Sequence, residues 1–169
     1  MQRIAKFEKV SKERFCEDYM DCFGQDMAAA AKAYDELKLP LRATAGSAGY
    51  DFFAPCDIVL APGETVKIPT GIRSRMENGW VLMCFPRSGL GFKFRLQLNN
   101  TVGIIDSDYY GSDNEGHIFA KITNDTNEGK TVSIKALDGF MQGIFVPFGI
   151  TEDDTQDALR NGGFGSTSR

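Results

Sequence analysis

A chain of 169 residues fits one domain and can bury roughly 70% of the surface its unfolded form exposes. With 19 Lys and Arg against 23 Asp and Glu and a net charge of -4, broad nonspecific binding to nucleic acid is excluded, but a small phosphate site built from a few arginines is not. Cys16, Cys22, Cys56 and Cys84 follow no metal-ligand spacing, and no apolar run approaches the ~20 residues of a membrane span, so the expectation is a single cytoplasmic domain over 1–169 with reduced, mostly buried thiols, no signal peptide and no membrane contact.

In chain order, Ile4, Phe7 and Val10 among charged residues predict a first strand. Ser11 is placed to cap a helix, and Phe15, Tyr19, Cys22, Phe23, Met27, Ala30, Tyr34 and Leu37 then recur at helical spacing. Gly24 is the natural break between two helices, and Pro40 ends the segment. Beyond Leu41 short apolar runs alternate with turns. Ala-Pro-Gly-Glu at 61–64 predicts a hairpin between strands over 57–60 and 65–68. Further strands are expected over 80–85, 96–99, 103–105, 117–123, 131–135 and 140–147, a spacing that suits a barrel or double-sheet sandwich.

Five segments set glycine beside polar side chains between strands. In 45–54, Asp51 starts a strand, with a turn aspartate as the alternative. In 85–91, proline pre-sets a turn, and Arg87 with Ser88 offers a guanidinium fork and a hydroxyl to phosphate oxygens. In 103–111 a short apolar strand runs into Asp106, a carboxylate able to take a proton from water, and Tyr109, a ring able to lie against a ligand; an ordinary hairpin turn is the competing reading. Gln142 is an amide in an apolar strand, where satisfying backbone groups is the commoner task. In 160–167, Phe164 stands between Gly163 and Gly165 near Arg160, as a mobile arm would carry one ring to a base and one arginine to a phosphate. His117 reads as a structural hydrogen-bonding residue.

These five segments, in this order, resemble the five motifs of the trimeric dUTP diphosphatases (dUTPases), at 48–54, 86–91, 100–111, 137–147 and 160–167. Pro-Arg-Ser-Gly-Leu-Gly at 86–91 and Gly-Ile-Ile-Asp-Ser-Asp-Tyr at 103–109 are the most specific parts. The resemblance implies an all-β, jelly-roll-like subunit in a homotrimer with shared active sites, hydrolysing dUTP to dUMP and pyrophosphate with Mg²⁺. That activity limits uracil in DNA and supplies dUMP for thymidylate synthesis. Asp106 would activate water for in-line attack on the α-phosphorus, and Tyr109 would pack against the deoxyribose. Asn100, with backbone groups of Gly103 and Ile105, would read uracil in a tight hairpin. Arg87, Ser88, Gly89 and Gln142 would hold phosphate oxygens, with Asp51 and Gln142 reaching the metal through water and no direct protein ligand. Phe164, Gly165, Arg160, Ser166 and Thr167 would close over the substrate as a C-terminal arm.

The chain departs from that pattern at residues 11–38, read as a helical insertion with decoration or a protein partner as its role, and at 111–115, a lengthened loop where either Gly111 or Gly116 is the family's glycine. Gly139 replaces a common arginine, so a supporting salt bridge is expected to be missing, and Arg160 lies one residue nearer Phe164 than is usual. A dCTP deaminase shares the fold, but its catalytic glutamate and arginine-serine motif are not found.

Overall fold

The computed structural model describes residues 2–157. The expected arm with Arg160, Phe164, Gly165, Ser166 and Thr167 lies outside the described residues.

Strand β1 (Ala5–Lys9) leads into two helices, α1 (Lys12–Phe23) and α2 (Met27–Glu36). Local chemistry fixes both. The Ser11 side chain accepts from Arg14 N–H at 3.1 Å, and Gly24 takes a left-handed φ of 63° that no branched residue would adopt cheaply, with its N–H on the Met20 carbonyl. Asp26 caps α2 by accepting from Ala29 N–H at 2.8 Å. The inner faces, Phe15, Cys16 and Tyr19 on α1 with Ala30 and Ala33 on α2, form a second core with Val10 and Leu37. Small alanines let the helices approach closely. The pair seats on Gly71, where φ is 74° and an added Cβ would run into Leu37 and stand 3.0 Å from Phe15.

The remaining strands are β2 (Tyr50–Phe53), β3 (Ile58–Leu60), β4 (Thr65–Pro69), β5 (Ile72–Met76), β6 (Trp80–Pro86), β7 (Leu96–Leu98), β8 (Gly103–Ile105), β9 (Phe119–Asn124), β10 (Val132–Ile134) and β11 (Gly139–Pro147). They pair antiparallel as β1-β5, β3-β10, β2-β11-β6-β8 and β4-β9-β7. The four sheets enclose one main core that includes Phe52, Ile68, Leu82, Ile122 and Phe140. The fold is mostly β with three α-helices among the described residues: α1 and α2 lie where helix was expected, and α3 (Ser88–Phe94) forms where a turn was expected.

The hairpin expected from the turn residues at 61–64 is not a ladder. β3 pairs with β10 and β4 with β9, so the 61–64 turn passes the chain from one sheet to another. Buried Asn124 secures that crossing by donating to the carbonyls of Leu60 and Lys130, both at 2.9 Å. Likewise β7 pairs with β9 and β8 with β6, so 99–102 is a tight inter-sheet turn. A turn sequence states that the chain reverses; it does not state which strand it will meet.

Candidate functional site

Two pockets carry most of the expected site residues. The polar one, about 380 Å³, is lined by Gly49, Asp51, Arg87, Ser88, Gly89 and Gln142, with part of the 43–48 loop. β2 and β11 set its floor, with Asp51 opposite Gln142 across the ladder. Arg87 caps α3 at the end of β6; its Nε lies 3.3 Å from Asp51 Oδ1, and Nη1 donates to the Gly139 carbonyl at 3.3 Å. Both partners are partly solvated, so the contact orients the guanidinium more than it stabilises the fold. Gly49 lets the Gln142 amide approach closely: a Cβ there would stand 2.6 Å from Gln142 Oε1 and displace the end of that side chain. Gly139 likewise leaves room for Arg87, which occupies the space a side chain there would take.

The second pocket, about 410 Å³, is largely apolar and lined by Cys84, Asn100, Gly103, Ile105, Phe119 and Met141 among others. Gly103 faces Cys84 across the β6-β8 ladder at a distance that leaves no slack, a Cβ being 3.1 Å from that of Cys84. The turn before it is tight: Thr101 N–H bonds Leu98 O at 2.8 Å, Val102 N–H bonds Asn100 O at 2.7 Å, and Thr101 sits at φ 66°. That conformation is unfavourable for a β-branched residue and marks a turn held by its surroundings. Lys67 places its ammonium 4.4 Å from the Phe119 ring centroid at the wall. Burial pushes the Cys84 thiol up to about 12, so it behaves as a small apolar group. Lys67, Phe119 and Met141 escaped the sequence reading because they come from separate strands that only pairing brings together.

Asp106 follows directly on Ile105 and starts the 3-10 turn Ser107–Gly111. Tyr109 is buried in the main core; its hydroxyl donates to the His117 carbonyl and accepts from Asn114 Nδ2, both at 2.9 Å. Neither Asp106 nor Tyr109 lines either pocket. Met141 and Gln142 are neighbours on β11 and so point to opposite faces, one into each pocket. The fold therefore gathers the expected phosphate-holding and base-reading groups separately within one chain.

His117 is fully buried, with Nε2 accepting from Gly71 N–H at 2.8 Å and Nδ1 2.6 Å from Asp18 Oδ2 on α1. Burial lowers its pKa and outweighs the pull of Asp18. The ring is neutral with its proton on Nδ1, as a structural role requires. Three of the thiols besides Cys84 are also raised by burial, though Cys22 and Cys56 are only half-buried. Among the described residues there is no cluster of three metal-ligating side chains, and no helix is long and apolar enough to cross a membrane.

A family model described as dUTPase matches residues 35–168. The deoxyuridine 5'-triphosphate nucleotidohydrolase of Lactococcus lactis subsp. lactis is 43% identical over 134 residues, spanning 78% of this chain and 88% of that protein. Among solved structures, the dUTPase of Streptococcus mutans superposes with a TM-score of 0.64 at 37% identity, covering 86% of this chain and 98% of its own. A mutant dUTPase from phage phi11 of S. aureus, described as revealing the coordination of a structural Mg(II) ion, shares the fold with a TM-score of 0.63 at 20% identity, covering 92% and 98%. The family match begins at residue 35, so nearly all of the helix pair precedes it.

Proposed function

The chain belongs to the dUTPase family, and from that premise we propose that it hydrolyses dUTP to dUMP and pyrophosphate as a homotrimer with shared active sites. The observation that carries the reading is the division of the site residues into two pockets on opposite faces of β11, one polar with an oriented arginine and one apolar behind a tight turn. Each is half of a nucleotide site, and a neighbouring subunit would supply the other half.

In this assignment uracil enters the apolar pocket, where Asn100 and the backbone of Gly103 and Ile105 read its edge. Packing of Gly103 on Cys84 holds the turn tight, and in this assignment that tightness is what refuses a thymine methyl. Tyr109 packs against the deoxyribose. Arg87, Ser88, Gly89 and Gln142 hold phosphate oxygens, Arg87 being aimed by Asp51 and the Gly139 carbonyl. Asp106 takes a proton from water as the water oxygen attacks the α-phosphorus in line, and pyrophosphate leaves. Positioning and charge neutralisation then supply most of the rate, as phosphoryl transfer demands.

The oxygen donors of Asp51 and Gln142 in the polar pocket suit a hydrated Mg²⁺ held mainly by substrate phosphates. When bound there, Mg²⁺ would neutralise charge on the phosphates. Arg160, Phe164, Gly165, Ser166 and Thr167 belong to the arm that closes the site. The arrangement is read as a jelly-roll-like subunit of one domain, interrupted by a helical insertion over 11–38 and a longer loop over 111–115, in a cytoplasmic protein.

The test is pyrophosphate release from dUTP beside UTP, dTTP and dCTP, repeated with Asp106→Asn. We expect dUTP alone to be turned over well and the variant to lose about 10²–10⁴-fold, the usual contribution of a general base. Equal rates on all four nucleotides, or a fully active variant, would refute the assignment.

A further inference from the structure

The two stretches that set this chain apart, the helix pair and the 111–115 loop, are bonded to each other. Besides the Tyr19–Cys56 contact, α1 and its cap reach the β structure through polar bonds to Glu115 and His117, in the stretch immediately after the turn that carries Asp106 and Tyr109. At its N-terminus, Glu115 accepts from the Ser11 backbone N–H at 2.7 Å and from the Ser11 hydroxyl at 2.6 Å. Further along, Asp18 accepts from His117 Nδ1 at 2.6 Å, while Arg14 grips both Asp18 oxygens at 3.0 and 2.9 Å.

His117 passes this contact inward. Its Nε2 is held by Gly71 N–H, so the Nδ1 proton has a single direction to go. Its carbonyl receives the Tyr109 hydroxyl, and Tyr109 N–H returns to the Asp106 carbonyl at 3.2 Å. The next two residues, Ile118 and Phe119, line the apolar pocket. A helix docked by apolar contact alone could settle in several neighbouring positions; a buried histidine with both nitrogens committed has one.

We infer that Asp18 and His117 are positioning residues: through them the helix pair fixes the turn bearing Asp106 and Tyr109 and the adjoining wall of the apolar pocket. The inference rests on the dUTPase reading above. Neither residue touches substrate. Without Asp18, the Nδ1–H of His117 is left buried without its partner, and it regains one only by a shift that moves the acceptor of the Tyr109 hydroxyl.

The experiment compares full-length Asp18→Ala, Asp18→Asn and Ala30→Gly by steady-state kinetics on dUTP and by amide hydrogen exchange. Asp18→Ala is expected to lower kcat about tenfold with KM less affected, as a displaced catalytic group does, and to speed exchange across 106–119. Asp18→Asn keeps an oxygen for the Nδ1 proton and should stay within about threefold of the native rate. Ala30→Gly loosens the second core and should speed exchange within 12–36 while leaving 106–119 protected. The inference is overturned if Asp18→Ala leaves exchange in 106–119 unchanged, or if Ala30→Gly slows turnover as much as it does at an equal loss of stability. Were the native protein inert on dUTP, the functional reading would fall, and the exchange pattern would still decide whether α1 fixes this turn.

Discussion

Gly139 and His117 show how much a single residue can decide around this site. Gly139, which stands where an arginine is common, leaves open the space that Arg87 fills, a Cβ there standing 2.9 Å from Nη1. Gly139→Ala should therefore push the guanidinium aside and raise KM for dUTP by about tenfold, the scale of one charge-assisted hydrogen bond, with thermal stability nearly unchanged. His117 governs a pH response. Its folded pKa is lowered by burial below the ordinary 6.5, so its contribution to stability is complete above that pH and is lost as pH falls through the folded value. Burial would raise Asp18, but its bonds with His117 and Arg14 prevail and lower it, which adds a second loss below its ordinary 3.8. The melting temperature should begin to fall below about pH 6.5, and His117→Gln should flatten that first decline; a native curve flat from pH 7 to 5 would contradict the neutral, Nδ1-protonated ring.

At the scale of elements, what could be read in advance was whatever is settled between near neighbours. α1 and α2 were legible because Ser11, Gly24 and the apolar period act within four residues of one another. The strands were legible as runs, but the hairpin expected at 61–64 is not a ladder, since β3 and β4 take partners tens of residues away. α3 was missed because Pro86 and two glycines signal a turn, and tertiary context overrides that signal. The seat of the helix pair is a further case, for nothing local marks Gly71. Gly71→Ala combines a left-handed backbone with a collision against Leu37 and Phe15, and should cost roughly 2–4 kcal/mol in urea unfolding. A loss below about 0.5 kcal/mol would mean that the helices seat elsewhere.

Over the whole molecule, the separation of the two pockets makes a prediction that no single chain can satisfy. Arg87→Ala and Asp106→Asn should each lower turnover steeply alone, yet co-expressed chains should recover activity well above either, because some sites in mixed trimers combine an intact Arg87 from one subunit with an intact Asp106 from another. No recovery from verified mixed trimers would mean that each site belongs to one chain. The amino-acid sequence by itself determined the chemistry on offer: five motif segments, the first four carrying Asp51, Arg87, Asn100 with Asp106, and Gln142, and the fifth Phe164, together with two capped amphipathic helices. Only the tertiary structure decided that Asp51 and Gln142 face each other, that Met141 and Gln142 turn to different pockets, and that Asp18 reaches His117 across 99 residues. The physical reason is range: caps, turns and periodicity are short-range forces written along the chain, whereas strand partners and buried hydrogen bonds are chosen by the packing of the complete core.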